Sequence, residues 1–164
     1  MTKRPLLALL ALCMVPPNLA RAGDLQPFMR GSWQDIRHTH DGQPMVVHFW
    51  GLTCGPCRVE MPQWGALLAE RPDLALVTIN ADLVSNEQAS AAAMLTKSGL
   101  ATAENWIFRD SFVERLRYEI DPQWQGEIPL TMLIARDGGV TTLEGVADLA
   151  QVRDWLDRQA EASR

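Results

Sequence analysis

Residues 45–50 read Met-Val-Val-His-Phe-Trp, an apolar run with one polar break. A run of this length with no polar-apolar alternation predicts a central strand covered on both faces. Residues 58–69 follow with helical spacing, Pro62 is expected to kink that helix, and Arg71-Pro72-Asp73 ends it. Residues 74–80, Leu-Ala-Leu-Val-Thr-Ile-Asn, predict a second buried strand. Two strands joined through a helix at this spacing predict a right-handed βαβ unit with parallel strands.

The rest of the pattern extends this unit. Ser32 is expected to cap a short helix over 33–38, and Asp41-Gly42-Gln43-Pro44 is turn chemistry. Ser85 to Gln88 has capping-box spacing for a helix through Lys97, which Gly99 ends. Residues 106–108 predict a short strand, and Ser111 with Glu114 a capped helix to about Tyr118. A polar loop, 121–127, leads to a strand over 128–135 that Pro129 opens. Residues 136–139, Arg-Asp-Gly-Gly, predict a hairpin turn into a strand over 140–143. Asp148 with Gln151 caps a last helix to about Ala160, with Leu149, Val152, Trp155 and Leu156 on one apolar stripe. The expected fold is α/β, a central mixed sheet flanked by helices, in one domain.

Composition adds a destination. Lys3-Arg4, an apolar run over 6–15 and Ala20-Arg21-Ala22 have the layout of a secretory signal peptide cleaved after Ala22, giving segments 1–22 and 23–164. The apolar run is shorter than the ~20 residues of an ordinary membrane span; an uncleaved anchor is the alternative. Leu12 sits where a small residue should precede a lipid-modified Cys13. The mature chain would carry 12 basic and 20 acidic residues, which argues against nucleic acid and anionic membrane as partners. It would keep two of three cysteines, Cys54 and Cys57, too few for a disulfide framework.

That pair carries the chemistry. Cys54-Gly55-Pro56-Cys57 directly follows the first strand and opens the first long helix. Two cysteines at this spacing can close a disulfide across one helical turn, the first exposed and the second beneath it. The helix N-terminus stabilises a thiolate there, and Pro56 pre-sets the backbone of the first turn. A local staple and a two-thiolate metal site, copper foremost, are the other readings of such a pair. Zinc usually takes four ligands, and His38 and His40 are expected to be solvated. Met61 and Met132 are expected to fill core space.

The stretch from Phe49 to Pro62, with its Cys57-Arg58-Val59-Glu60-Met61-Pro62 continuation, resembles the TlpA/ResA-like exported thiol–disulfide oxidoreductases of the thioredoxin fold. The Ile128-Pro129-Leu130-Thr131 stretch, followed by Asp137-Gly138, resembles the family's second motif. The resemblance spans about residues 32–160 and implies a thioredoxin-like fold and a periplasmic reductant of client protein disulfides. It makes Cys54 the nucleophile and Cys57 the resolving thiol. It puts a cis Pro129 opposite them, with Ile128 offering backbone hydrogen bonds to an extended client. Glu60 falls where the family has a cleft glutamate that serves proton transfer, or is a solvated helix charge. His48 stands where cytosolic thioredoxins carry a buried acid, and is either a proton relay or a satisfied core histidine. Trp50 is expected to pack under the site.

Two positions depart from the pattern. Thr53 replaces the usual Trp before the first cysteine, and Leu130 replaces the Thr after the cis proline. Thr53 borders the expected client groove, and Trp124 is a candidate client contact from its loop. No cofactor is expected. A reductant in an oxidising compartment implies a membrane electron donor of the DsbD/CcdA type; clients would be of the cytochrome c or oxidase copper-site maturation type, and a monomer is expected. A DsbA-like oxidant and a copper-carrying or redox-sensing module are the alternatives, the former disfavoured by the lack of a large helical insertion.

Overall fold

The computed structural model describes residues 25–82 and 88–162. The expected signal segment lies outside them, as does Ser85 with its capping box. Eleven elements follow in order: β1 (Gln26–Phe28), α1 (Ser32–Thr39), β2 (Met45–Trp50), α2 (Gly55–Glu70), β3 (Ala75–Asn80), α3 (Gln88–Lys97), β4 (Glu104–Phe108), α4 (Val113–Ile120), β5 (Leu130–Ile134), β6 (Val140–Glu144) and α5 (Leu149–Glu161).

The strands form one six-stranded sheet ordered β1-β4-β3-β2-β5-β6. β1, β4, β3 and β2 run parallel, while β5 is antiparallel to β2 and to β6. Every residue of β2 is buried, His48 included, as its apolar run with a single polar break predicts. Its residues alternate between two cores. Val46 and Trp50 pack with α2, α3 and α5 through Trp64, Leu95 and Trp155. Met45, Val47 and Phe49 pack with α1 and α4 through Trp33, Ile36 and Leu116. The α5 stripe of Leu149, Val152, Trp155 and Leu156 is buried as its spacing predicts, each large side chain contributing about 1.5–3 kcal/mol by leaving water.

Three local expectations are corrected. Ser32 is inside α1, not its cap; Gly31 holds the cap position at φ 90°, and the Ser32 hydroxyl instead accepts from the Met29 N–H at 3.0 Å. Ser111 does not cap α4 either: the Phe112 N–H donates to Asp110 Oδ1 at 2.9 Å. β1 was not expected, because three residues containing Pro27 carry no periodicity; it pairs along β4 at the sheet edge, where a proline is tolerated. Phe28 anchors it, packed edge-on against Trp106 and tilted on Phe108.

Other local chemistry agrees with the pattern. α3 ends ahead of Gly99, which adopts φ 76°, and the Leu100 N–H closes back to Leu95 O at 2.8 Å. Asp148 caps α5 by accepting from the Ala150 N–H. Pro62, expected to kink α2, lies inside the helix, which continues past it to Glu70. Gly65 lets α2 meet the chain just past α3: a Cβ there would stand 1.7 Å from the Ser98 carbonyl oxygen.

Candidate active site

β2 delivers the chain to the carboxyl end of the sheet, where a short turn, residues 51–53, connects it to α2. Cys54 is the helix N-cap and Pro56 lies in the first turn. Cys54 and Cys57 form a disulfide, S–S 2.00 Å, with Cα atoms 5.3 Å apart. Cys57 is fully buried, whereas Cys54 is only half-buried. The Cys57 N–H points at Cys54 Sγ from 3.1 Å. A negative charge on Cys54 would therefore meet a backbone donor and the positive end of a sixteen-residue helix. No such donor serves Cys57 Sγ among the described residues.

The Ile128–Pro129 peptide bond is cis, and the Ile128 carbonyl oxygen lies 3.6 Å from Cys54 Sγ. The strand β5 that follows pairs with β2, register Phe49 to Leu130, and so carries this carbonyl to the cysteines.

Asp82, just past β3, holds the turn before Cys54. Its carboxylate accepts from the Leu52 N–H, from the Thr53 N–H at 3.3 Å and from the Thr53 hydroxyl at 2.7 Å. Its own N–H donates to Asn80 Oδ1 at 3.2 Å. Gly51 makes room for this arrangement: a Cβ there would come within 2.7 Å of both Asp82 Oδ1 and Ile128 Cδ1.

Beneath the helix start lies a buried polar group. Glu60 is fully buried on α2, and its Oε1 accepts from Trp64 Nε1 at 2.9 Å and from the Ala147 N–H at 3.0 Å. Oε2 has no partner. Burial holds its pKa above the usual carboxylate value, against the two hydrogen bonds that favour the charged form. The Trp64 ring also packs, tilted, against His48, ring centroids 5.1 Å apart. His48 is also fully buried; its Nδ1 is 3.0 Å from Thr131 Oγ1, the residue opposite it on β5, and Nε2 has no partner. Desolvation lowers its pKa to about 3, so the ring is neutral at ordinary pH. Trp64 thus joins the two titratable residues, and neither hydrogen-bonds a cysteine.

The other predicted residues divide clearly. Trp50 and Met61 pack in the same core as Cys57, under the site. Met132 lies in the opposite core. Trp124 offers no exposed ring for a client: it is 6% exposed, packs on Phe49 at 4.7 Å and donates from Nε1 to Glu127 O. The physical reason is area, since a Trp beside an open core edge buries more apolar surface by folding inward. His40 is not solvated but pairs with Glu104 at 2.8 Å, whereas His38 is exposed. Sequence reasoning missed Asp82. The available signal was its place, a lone acid two residues beyond a central parallel strand, where the sheet's carboxyl ends gather ligand-facing groups.

No protein-family model matches the chain. Over 98 residues it is 31% identical to the sporulation thiol-disulfide oxidoreductase A of Bacillus subtilis, a match that covers 54% of this chain and 59% of that protein. The chain therefore spans less than two thirds of that curated relative. The crystal structure of StoA from Bacillus subtilis superimposes with a TM-score of 0.54 at 25% identity, over 71% of this chain and 84% of that one. A secreted Mycobacterium tuberculosis disulfide oxidoreductase, described as homologous to Escherichia coli DsbE, superimposes with a TM-score of 0.55 at 20% identity, over 76% and 85%. A mixed sheet with helices on both faces, a C-x-x-C pair at the N-cap of α2 and a proline loop against it give this chain a thioredoxin-like fold, similar to that of these disulfide oxidoreductases.

Proposed function

We propose that the chain is a thiol–disulfide oxidoreductase that works outside the cytoplasm and reduces disulfides of client proteins. The observation that carries this reading is the asymmetry of the cysteine pair. Cys54 is partly open with a backbone donor 3.1 Å from its sulfur, and Cys57 is closed beneath it. In the reduced protein the Cys54 thiolate attacks a client disulfide, forming a mixed disulfide and expelling one client thiolate. Cys57, deprotonated, then attacks Cys54 Sγ, forms the Cys54–Cys57 disulfide and expels the second client thiolate. Two electrons and two protons pass to the client.

The Ile128 carbonyl, 3.6 Å from Cys54 Sγ, is the hydrogen-bond acceptor for an extended client backbone beside the attacked sulfur. Glu60 is the buried group we assign to proton exchange with Cys57. It lies one helical turn beyond that cysteine, and its raised pKa brings it nearer the range in which a carboxyl exchanges protons at neutral pH. His48, neutral and hydrogen-bonded to Thr131, fixes Trp64 and through it Glu60.

Reduction is the direction that the C-G-P-C dipeptide supports. A reductant outside the cytoplasm has to be recharged by a dithiol donor in the membrane, of the DsbD/CcdA type. Cysteine pairs of apocytochrome c haem sites or of copper-assembly proteins are the client class. The test is the reduction potential of the Cys54–Cys57 pair, equilibrated against dithiothreitol and glutathione buffers. A value near that of thioredoxin, about −270 mV, supports the reductant; a value near that of DsbA, about −120 mV, reverses the direction. Loss of disulfide reduction in Cys54→Ser tests the nucleophile.

A further inference from the structure

A groove begins beside Cys54 and runs along the seam between α2 and α3. Its first hollow, about 500 Å³, is bounded by Leu52, Thr53, Asp82, Met94, Arg58 and Lys97. A second, about 380 Å³, continues it past Val59 and Pro62, and shares Arg58, Met94 and Lys97 with the first. Ile128 lines neither, so the groove is separate from the proline loop. Its floor is apolar, and Val59 at its side is 72% exposed, an aliphatic group open to a partner beside the hollows.

The groove carries two cations, Arg58 and Lys97, and one acid, Asp82. Arg58 and Lys97 are exposed, and among the described residues neither side chain has a hydrogen bond or an ion pair. Arg30, Arg71 and Arg153 are instead each paired with a carboxylate. Asp82, the acid at the groove's edge, has both oxygens engaged by the backbone and hydroxyl of residues 52 and 53. Two unpaired cations therefore flank an apolar floor that leads to the redox disulfide, on a chain of net charge −5.

We infer that this groove docks a segment of the client protein in which carboxylates alternate with aliphatic side chains. The aliphatic groups cover Val59 and Met94, and the carboxylates pair with Arg58 and Lys97. Like-charge repulsion from the rest of the acidic surface is offset locally, so the groove selects where on an acidic client the exchange occurs. The inference rests on Cys54 being the exchanging thiol.

The test uses the reduced protein and two synthetic peptides with the same internal disulfide, one flanked by Glu-Leu-Asp and the other by Lys-Leu-Lys. Each reduction rate is divided by that of hydroxyethyl disulfide, an uncharged substrate. The acidic peptide is expected to react about fivefold faster than the basic one at low salt, with the advantage fading toward molar salt as screening sets in. Because the whole protein is acidic, its overall field alone would give the opposite order. Lys97→Glu should cancel the preference and Lys97→Arg should keep it. Equal rates for the two peptides, or a preference untouched by Lys97→Glu, overturns the docking groove while leaving the cysteine chemistry standing. Failure to reduce all three disulfides removes the oxidoreductase reading itself, and the groove with it.

Discussion

The Asp82 carboxylate grips Thr53 twice, accepting from its hydroxyl at 2.7 Å and from its N–H at 3.3 Å. Thr53 stands immediately before Cys54, the nucleophile of the proposed reaction, so the end of β3 anchors the turn into the site. Asp82→Ala leaves two amides and a hydroxyl without their acceptor, and is expected to cost about 1–3 kcal/mol in denaturant unfolding. Amide hydrogen exchange should quicken at Leu52 and Thr53 well before it does in β2. Unchanged protection at those two amides would show that the turn is held by other contacts.

The two cysteines should respond differently to substitution. Cys54→Ser is expected to abolish insulin-disulfide reduction. Cys57→Ser should trap a covalent mixed disulfide with a peptide substrate, visible by mass spectrometry, because nothing remains to resolve it. A trapped adduct in Cys54→Ser instead would exchange the two roles.

His48 sets an acid limit on the fold. Its folded pKa of about 3 lies below the ordinary 6.5, so the unfolded chain binds the proton more tightly. Its stabilising contribution is present above pH 6.5 and is lost as pH falls toward 3, at most about 5 kcal/mol for a shift of that size. His48→Asn, which keeps a polar partner for Thr131, should flatten stability between those pH values, measured by urea unfolding at stepped pH. The same slope in both proteins would assign the acid sensitivity to other groups.

Glu60 acts with the opposite sign. Its folded pKa is raised, so the folded state holds the proton more tightly and stability falls as pH rises from about 4.5 through that raised value. Glu60→Gln should remove this loss while keeping acceptors for Trp64 and Ala147. If Glu60 also exchanges protons with Cys57, the same variant lowers the exchange rate about 10-fold or more and flattens its pH profile near neutrality. A pH–rate profile that keeps its shape in the variant would leave Glu60 with a purely structural part.

Gly65 tests the packing of α2 on the end of α3. With a Cβ placed 1.7 Å from the Ser98 carbonyl oxygen, Gly65→Ala forces the backbone to move. It should destabilise by about 1–3 kcal/mol despite the better helix propensity of alanine. A thermal midpoint equal to or above that of the parent would contradict the close approach.

What could be read from the sequence follows the range of the forces involved. The buried run over 45–50, the helix opened by Cys54 and Pro56, the Gly99 stop and the Asp148 cap are set by residues within a few positions of one another. Apolar periodicity and backbone preference are local, so these elements and the α/β class were legible in the chain itself. The cysteine pair was legible for the same reason, its spacing and its place at a helix start being short-range properties. What only the tertiary structure decided depends on contacts between distant positions. Asp82 reaches the turn before Cys54, Ala147 donates to Glu60 from 87 residues away, β1 finds β4, and Trp124 turns into the core against Phe49. Each is settled by which surfaces the sheet order brings together and by the cost of leaving a buried polar atom or an aromatic ring without a partner. That cost is paid only once the chain has closed on itself, and no local pattern records it.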